Sequence, residues 1–245
     1  MYTLFYFLFV AFASLISAGT VPDYIHICKR NDPAVSKCIR NSVEALRPKL
    51  IAGIPEIGVP SLEPLSIKKI DIIRGGGGIR AELNNVLAHG AGDFKVTRLK
   101  LDIPKNTYHF GIKIPQLKLE GDYDVDARIL GAPIQGKGRF NAEVTKIDGY
   151  GILRGEVVQN KGIRNMKFNA FDLALKIEDY DIKLHNLFNG DKVLSQAVGD
   201  LLKDNKKEML ENAIPFIQAR VSESLLDAAN KITENLDYDE AFPEK

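Results

Sequence analysis

One stretch of this chain nearly matches a phosphate-binding loop. Residues 131–138 read GAPIQGKG, which has the glycine and lysine spacing of that loop but ends in Gly138 where a serine or threonine is required. That hydroxyl normally binds magnesium, and the alternating residues that follow predict a strand where a helix should begin. We therefore expect the glycines to permit a tight hairpin or a close approach of two backbones, rather than nucleotide binding.

The other residues that could carry chemistry are scattered along the chain. The histidines at positions 26, 89, 109 and 185 are far apart, and neither the H-E-x-x-H nor the G-x-S-x-G motif occurs. Carboxylate pairs such as Asp122 and Asp124 fall at alternate positions of predicted strands, where both should face solvent. The sequence thus offers no catalytic residue, no metal site and no cofactor site, which favours binding over catalysis.

The chain begins with features of a secretory signal peptide. An uncharged apolar run from Leu4 to Ile16 precedes small residues at positions 17–19, and we assign residues 1–18 to the signal. A buried hydrophobic strand is the alternative interpretation. No later apolar run reaches about 20 residues, so we expect an exported protein that is not anchored in a membrane.

The two cysteines, Cys28 and Cys38, should pair in an oxidising compartment. Two free thiols or a metal site are the alternatives, although two cysteines are few for structural zinc.

The 33 basic side chains nearly balance the 32 acidic ones, giving a formal charge of +1. This balance provides no electrostatic reason to expect nucleic acid or an anionic membrane as a partner. Because no linker divides residues 19–245, we expect a single domain.

The elements that must position any site are one long helix and many strands. Apolar residues recur at helical spacing from Asp191 to about Asn235, a stripe that Asn205 interrupts and Pro215 should bend. Residues 32–50 predict a first helix, followed by an extended connection rich in proline and glycine. From Leu65 to Leu184 the residues alternate as in half-buried antiparallel strands, with a turn at 75–78 and a bulge between positions 96 and 99. The pattern indicates an α+β fold.

Several short motifs, taken in order, resemble the insect takeout and haemolymph juvenile-hormone-binding protein family. They are the two cysteines at 28 and 38, LRPKLIAGIPEIGVP at 46–60, EPL at 63–65, IPQL at 114–117, GDY at 121–123, PIQGKG at 133–138 and LFNGD at 187–191. The resemblance covers essentially the whole mature chain. It is closest to the takeout branch, because the hormone carriers have a second disulfide that this chain cannot form.

This resemblance implies a long bent C-terminal helix wrapped by a strongly curved antiparallel sheet, with a short N-terminal helix. The same fold occurs in lipid-binding proteins that resemble bactericidal/permeability-increasing protein. It also implies an apolar tunnel that holds a small lipid between sheet and helices. The residues that we expect to line the tunnel are Phe110, Ile112, Tyr123, Val125, Phe140, Val144, Phe168 and Phe171 from the sheet, with Leu46, Leu50, Leu201, Phe216 and Val221 from the helices.

Each residue expected to line the tunnel has ordinary core packing as its alternative role. The hydroxyls of Tyr108 and Tyr123 are candidates to orient a polar ligand head. The leading hypothesis is a monomeric extracellular carrier of a terpenoid hormone, fatty acid or polyprenyl lipid. A secreted interaction protein whose pocket is vestigial or filled by structural lipid is the second hypothesis. A lipid esterase is the third, although no motif supports it.

Overall fold

The structure is a computed structural model that describes residues 21–74, 80–129, 132–160, 162–234 and 236–245. The predicted signal peptide at 1–18 and the predicted glycine turn at 75–78 lie outside these residues.

Six antiparallel strands form one sheet, in which β1, β2, β4, β5 and β6 are neighbours in that order and β3 pairs with the first part of β4. Their bounds are β1 Leu65–Arg74, β2 Arg80–His89, β3 Lys95–Asp102, β4 Thr107–Ile129, β5 Ala132–Asn160 and β6 Ile163–Leu184. Strands β4, β5 and β6 contain 23, 29 and 22 residues, several times the usual length. Strands of this length accumulate a large right-handed twist, and the sheet curls into a half-barrel. The predicted curved antiparallel sheet is confirmed.

Bulges sharpen the curvature of this sheet. The bulge predicted between positions 96 and 99 is confirmed, because the pairing of β3 with β4 shifts between Val96 and Arg98. A second shift, between Asn84 and Leu87 in β2, includes Asn85 with a φ of 51°. Each extra residue bends its strand and increases the local twist.

The inward-facing positions of β4 and β5 change parity halfway along both strands. In β4 the large apolar residues are even-numbered from Tyr108 to Ile114 and odd-numbered from Leu117 onward, with Pro115 exposed between them. In β5 the change occurs at Lys146, whose φ is 51°, and the two strands stay in register on both sides. The change keeps the inner face apolar as the strands twist. It explains why the apolar residues at 108–114 and at 123–129 follow opposite phases.

In the part of the chain that the structure describes, four α-helices accompany the sheet: α1 Val35–Ala52, α2 Lys192–Asp204, α3 Lys206–Thr233 and α4 Tyr238–Ala241. Short 3-10 turns occupy Pro55–Ile57, Ala91–Asp93 and Leu187–Gly190. Helix α1 begins later than predicted, because the Asp32 carboxylate accepts a hydrogen bond from the Ala34 amide in the turn before the helix. It also ends later than predicted, because the last carbonyl groups of α1 accept hydrogen bonds from Ser61 and Leu62. Those contacts continue the helix beyond Leu50, where we expected an extended chain.

The long C-terminal helical run is divided into two helices at Asn205, the residue that interrupts its apolar stripe. The carboxylate of Asp191 caps α2 by accepting hydrogen bonds from the amides of Val193 and Leu194. The Asn205 side chain donates to the Leu201 carbonyl at 2.8 Å, a local bond that competes with helix continuation. Helix α3 then runs through Pro215 for 28 residues, roughly 42 Å.

Helix α3 lies across the open side of the half-barrel and contacts both of its edges. Its Gln218 accepts a hydrogen bond from the Leu175 amide of β6 at 2.8 Å, and Arg220 donates to the Lys69 carbonyl of β1 at 3.0 Å. Asn230 bonds both the amide and the carbonyl of Phe168. These side chains satisfy backbone groups that an edge strand would otherwise expose. The space enclosed between helix and sheet holds the core, where Phe140 is completely buried.

Candidate ligand-binding cavity

An apolar cavity of about 210 Å³ lies between the inner face of the sheet and helices α2 and α3. Both layers supply its walls, so it exists only where the curved sheet and the helices meet. Its lining consists of Ile72, Ala81, Glu82, Leu83, Leu119, Tyr123, Val125, Ile134, Phe140, Ala142, Val144, Ile177, Tyr180, Ile182, Leu184, Val198, Leu202, Met209, Leu210, Ala213 and Ile217. Such a wall suits a hydrocarbon, because it takes apolar surface out of water.

Two of the three hydrogen-bonding side chains in this wall are already engaged. The Tyr123 hydroxyl donates to the His185 carbonyl at 2.8 Å, and burial raises the pKa of this tyrosine. The Glu82 carboxylate is paired with Lys69 at 2.8 Å and lies 3.6 Å from Arg80. Their polar groups are therefore directed to protein partners rather than into the cavity.

Tyr180 is the third of these side chains. Its hydroxyl has no hydrogen-bond partner among the described residues, and burial raises its pKa. The phenol therefore stays protonated and keeps a free donor at the wall of the cavity.

The glycines of the phosphate-loop-like motif let the chain close tightly over the sheet at one end of the cavity. A Cβ atom on Gly138 would lie only 2.2 Å from the His185 carbonyl oxygen, and one on Gly136 would lie 3.1 Å from a methyl group of Leu187. The motif's Lys137 pairs with Asp124 at 2.7 Å. The predicted close approach of two backbones is confirmed, and β5 continues through the motif.

Of the residues expected to line a ligand tunnel, four line this cavity. They are Tyr123 and Val125 from β4 and Phe140 and Val144 from β5. Leu201 packs against the buried core beside the cavity without lining it, and Phe216 is 38% exposed on α3. For all of these residues, contact with a ligand stays a prediction.

The remaining predicted sheet residues lie in the other half of the half-barrel, beyond the parity change. Phe110 and Phe171 stack with ring centroids 5.4 Å apart, and Phe168 meets the edge of Tyr108 at 5.8 Å. Ile112 lies beside Gly149. The cavity lining includes none of these residues, nor Leu46 and Leu50 of α1, nor Val221 of α3. Their predicted role requires a ligand that extends beyond the cavity.

Sequence reasoning missed the contribution of β6 and much of that of the helices. Tyr180, Ile182 and Leu184 alternate along β6, and Val198 and Ala213 belong to the apolar stripe of α2 and α3. These periodicities place a side chain on the inner face. They do not show where along the sheet a space remains open, because that depends on how closely α3 approaches each strand.

The two cysteines form a disulfide, as predicted, which ties residues before α1 to that helix. His26 lies beside them, close enough that its ring and the two sulfur atoms fall within 4.8 Å of one another. Both sulfur atoms are already bonded to each other in the disulfide.

In the described part of the chain, no helix is long and apolar enough to cross a membrane.

Comparison with known proteins agrees with this geometry. The crystal structure of Takeout 1 from Epiphyas postvittana has a TM-score of 0.74 and 21% identity, and the match covers 88% of this chain and 98% of that one. The circadian clock-controlled protein daywake of Drosophila melanogaster is 24% identical over 234 residues, 90% of this chain and 88% of that protein. A Schistocerca gregaria protein named "Putative beta-carotene-binding protein" is 20% identical over 215 residues, 87% and 86% of the two chains. The model of the haemolymph juvenile hormone binding protein family matches residues 5–243, and the chain therefore belongs to that family.

Proposed function

We propose that this protein is an extracellular carrier that binds a small hydrophobic ligand in the cavity between the sheet and helices α2 and α3. The observation that carries the proposal is the lining of that cavity, which is apolar apart from Glu82 and two tyrosines. Family membership and the name of the locust relative support a hydrophobic ligand. A terpenoid hormone, a fatty acid and a polyprenyl lipid are the candidate classes.

The mechanism is exclusion of water rather than chemical change of the ligand, and the proposal includes neither catalysis nor nucleic-acid binding. Transfer of about 200 Å² of apolar ligand surface from water would supply about 5 kcal/mol before the costs of association. A longer ligand would extend towards Phe110 and Phe171 and gain in proportion to the additional buried area. The proposal includes a monomeric mature domain at 19–245, released from a signal peptide at 1–18.

Filling the cavity tests this function directly. Ala213 lines the cavity from α3, whereas Ala219 of the same helix is exposed to solvent. We expect Ala213→Phe to abolish or strongly weaken the binding of Nile red, an apolar fluorescent probe, and Ala219→Phe to leave it unchanged. Circular dichroism would verify that both variants fold. Equal binding of Nile red by the two variants would contradict a ligand site in this cavity.

A further inference from the structure

Helix α3 is fastened to edge strand β6 at two points that bound a surface recess. At one point Gln218 accepts the Leu175 amide hydrogen bond, and at the other Lys206 contacts Asp179 at 3.2 Å and Asp181 at 3.1 Å. The recess between these points is lined by Leu175, Lys176, Ile177, Glu178, Asp179, Tyr180, Lys206, Lys207, Leu210, Glu211 and Ile214. Three of these residues, Ile177, Tyr180 and Leu210, also line the apolar cavity. The recess and the cavity thus meet across a single layer of side chains.

Tyr180 stands at this boundary with an unused hydrogen-bond donor. The side chain is half-buried, Lys206 Nζ lies 5.8 Å from its ring centre, and its hydroxyl has no partner in the described part of the chain. Among the described residues this hydroxyl does not count with the buried polar atoms that lack a partner, so water can reach it. A bound ligand that displaces this water must replace its hydrogen bond. A ligand oxygen at the boundary would supply that partner.

The charges of the recess favour an uncharged ligand oxygen over a carboxylate. Its three lysines are matched by three acidic residues, and Lys206 is already engaged by two carboxylates. A ligand carboxylate would therefore gain no net attraction, would approach Asp179, and would lose hydration. An ester, ketone or alcohol oxygen accepts the same hydrogen bond at a much smaller desolvation cost.

We propose that Tyr180 is the polar anchor of the cavity and determines its ligand specificity. Its hydroxyl donates a hydrogen bond to an uncharged oxygen of a lipid whose hydrocarbon part occupies the cavity and whose polar end faces the recess between β6 and α3. The inference rests on the proposed carrier function and adds to it the chemical class of the ligand and the residue that selects it.

Displacement of Nile red at neutral pH by methyl laurate, laurate and dodecane tests this inference. Tyr180→Phe removes only the donor, and we expect it to weaken methyl laurate binding about 3- to 10-fold while dodecane binding stays unchanged. Unchanged dodecane binding also shows that the variant is folded. Tyr24→Phe is the control, because it also removes one tyrosine hydroxyl, which donates to Glu56 and lines neither the cavity nor the recess. It should alter neither affinity.

The outcomes separate the anchor from the carrier function. Methyl laurate that binds Tyr180→Phe as tightly as the wild type would overturn the anchor while leaving the carrier intact. Laurate that binds the wild type more tightly than its methyl ester would overturn selection for an uncharged oxygen. Failure of the wild type to bind Nile red or any of the three lipids would contradict the carrier function itself, and with it the anchor.

Discussion

The replacement of Gly138 by alanine should open the end of the cavity and destabilise the fold. The new Cβ atom would lie 2.2 Å from the His185 carbonyl oxygen, although real Cβ contacts essentially never fall under 3.0 Å. Because that carbonyl accepts the hydrogen bond of buried Tyr123, moving it also leaves a shielded hydroxyl without a partner. Overpacking costs about 1–3 kcal/mol and the loss of one hydrogen bond about 1 kcal/mol, so we expect a total loss of about 2–4 kcal/mol.

Urea unfolding followed by circular dichroism measures this loss. With a denaturant dependence of about 2–3 kcal/mol per molar, the midpoint of Gly138→Ala should fall by roughly 1 M urea. Gly199 of α2 offers a control, because a Cβ atom there would meet no atom within 4 Å. Gly199→Ala should leave the free energy of unfolding unchanged or raise it by up to about 1 kcal/mol, and its urea midpoint should not fall. A wild-type midpoint for Gly138→Ala would refute the close approach on which the closed end of the cavity depends.

Three further perturbations have defined outcomes. Removing the disulfide with Cys28→Ser and Cys38→Ser should lower the free energy of unfolding by about 2.7 kcal/mol, measured by urea unfolding. The hydrogen bond from Arg30 lowers the pKa of the Asp239 carboxyl group. The ionised carboxylate therefore stabilises the fold fully above its unfolded-state pKa of about 4, and this stabilisation is lost as the pH falls through the lower folded-state pKa. Asp239→Asn should therefore flatten the acid limb of a stability–pH curve. Phe140→Ala should cost about 3–5 kcal/mol by thermal or urea denaturation, because the ring is completely buried.

Periodicity was sufficient to predict the fold class and much of its detail. Alternation between Leu65 and Leu184 indicated the strands, and the phase slip near Leu99 indicated a bulge that the pairing of β3 with β4 confirms. It did not indicate that neighbouring segments form three very long strands. Their continuity depends on pairing partners distant in sequence, such as Phe110 with Gly151.

The cavity was only partly predictable for a related reason. Alternation records which side of each segment is shielded. It did not show that Phe110 and Tyr123, which follow opposite phases, share the inner face, because that depends on the parity change halfway along β4 and β5. The open space depends on the path of α3, which is set by the break at Asn205 and by contacts such as Gln218 with Leu175. No local pattern encodes the distance between a helix and a sheet, so the lining residues of β6 were missed.

Native mass spectrometry of the purified protein is the most direct test of a ligand in this cavity. After incubation with a lipid extract and removal of unbound lipid, the account predicts one additional mass per chain. That mass should be retained by Ala219→Phe and lost by Ala213→Phe. If every sample shows only the mass of the polypeptide and the lipid extract does not displace Nile red, the proposed ligand site in this cavity is contradicted. A lipid mass retained by Ala213→Phe would place the ligand elsewhere.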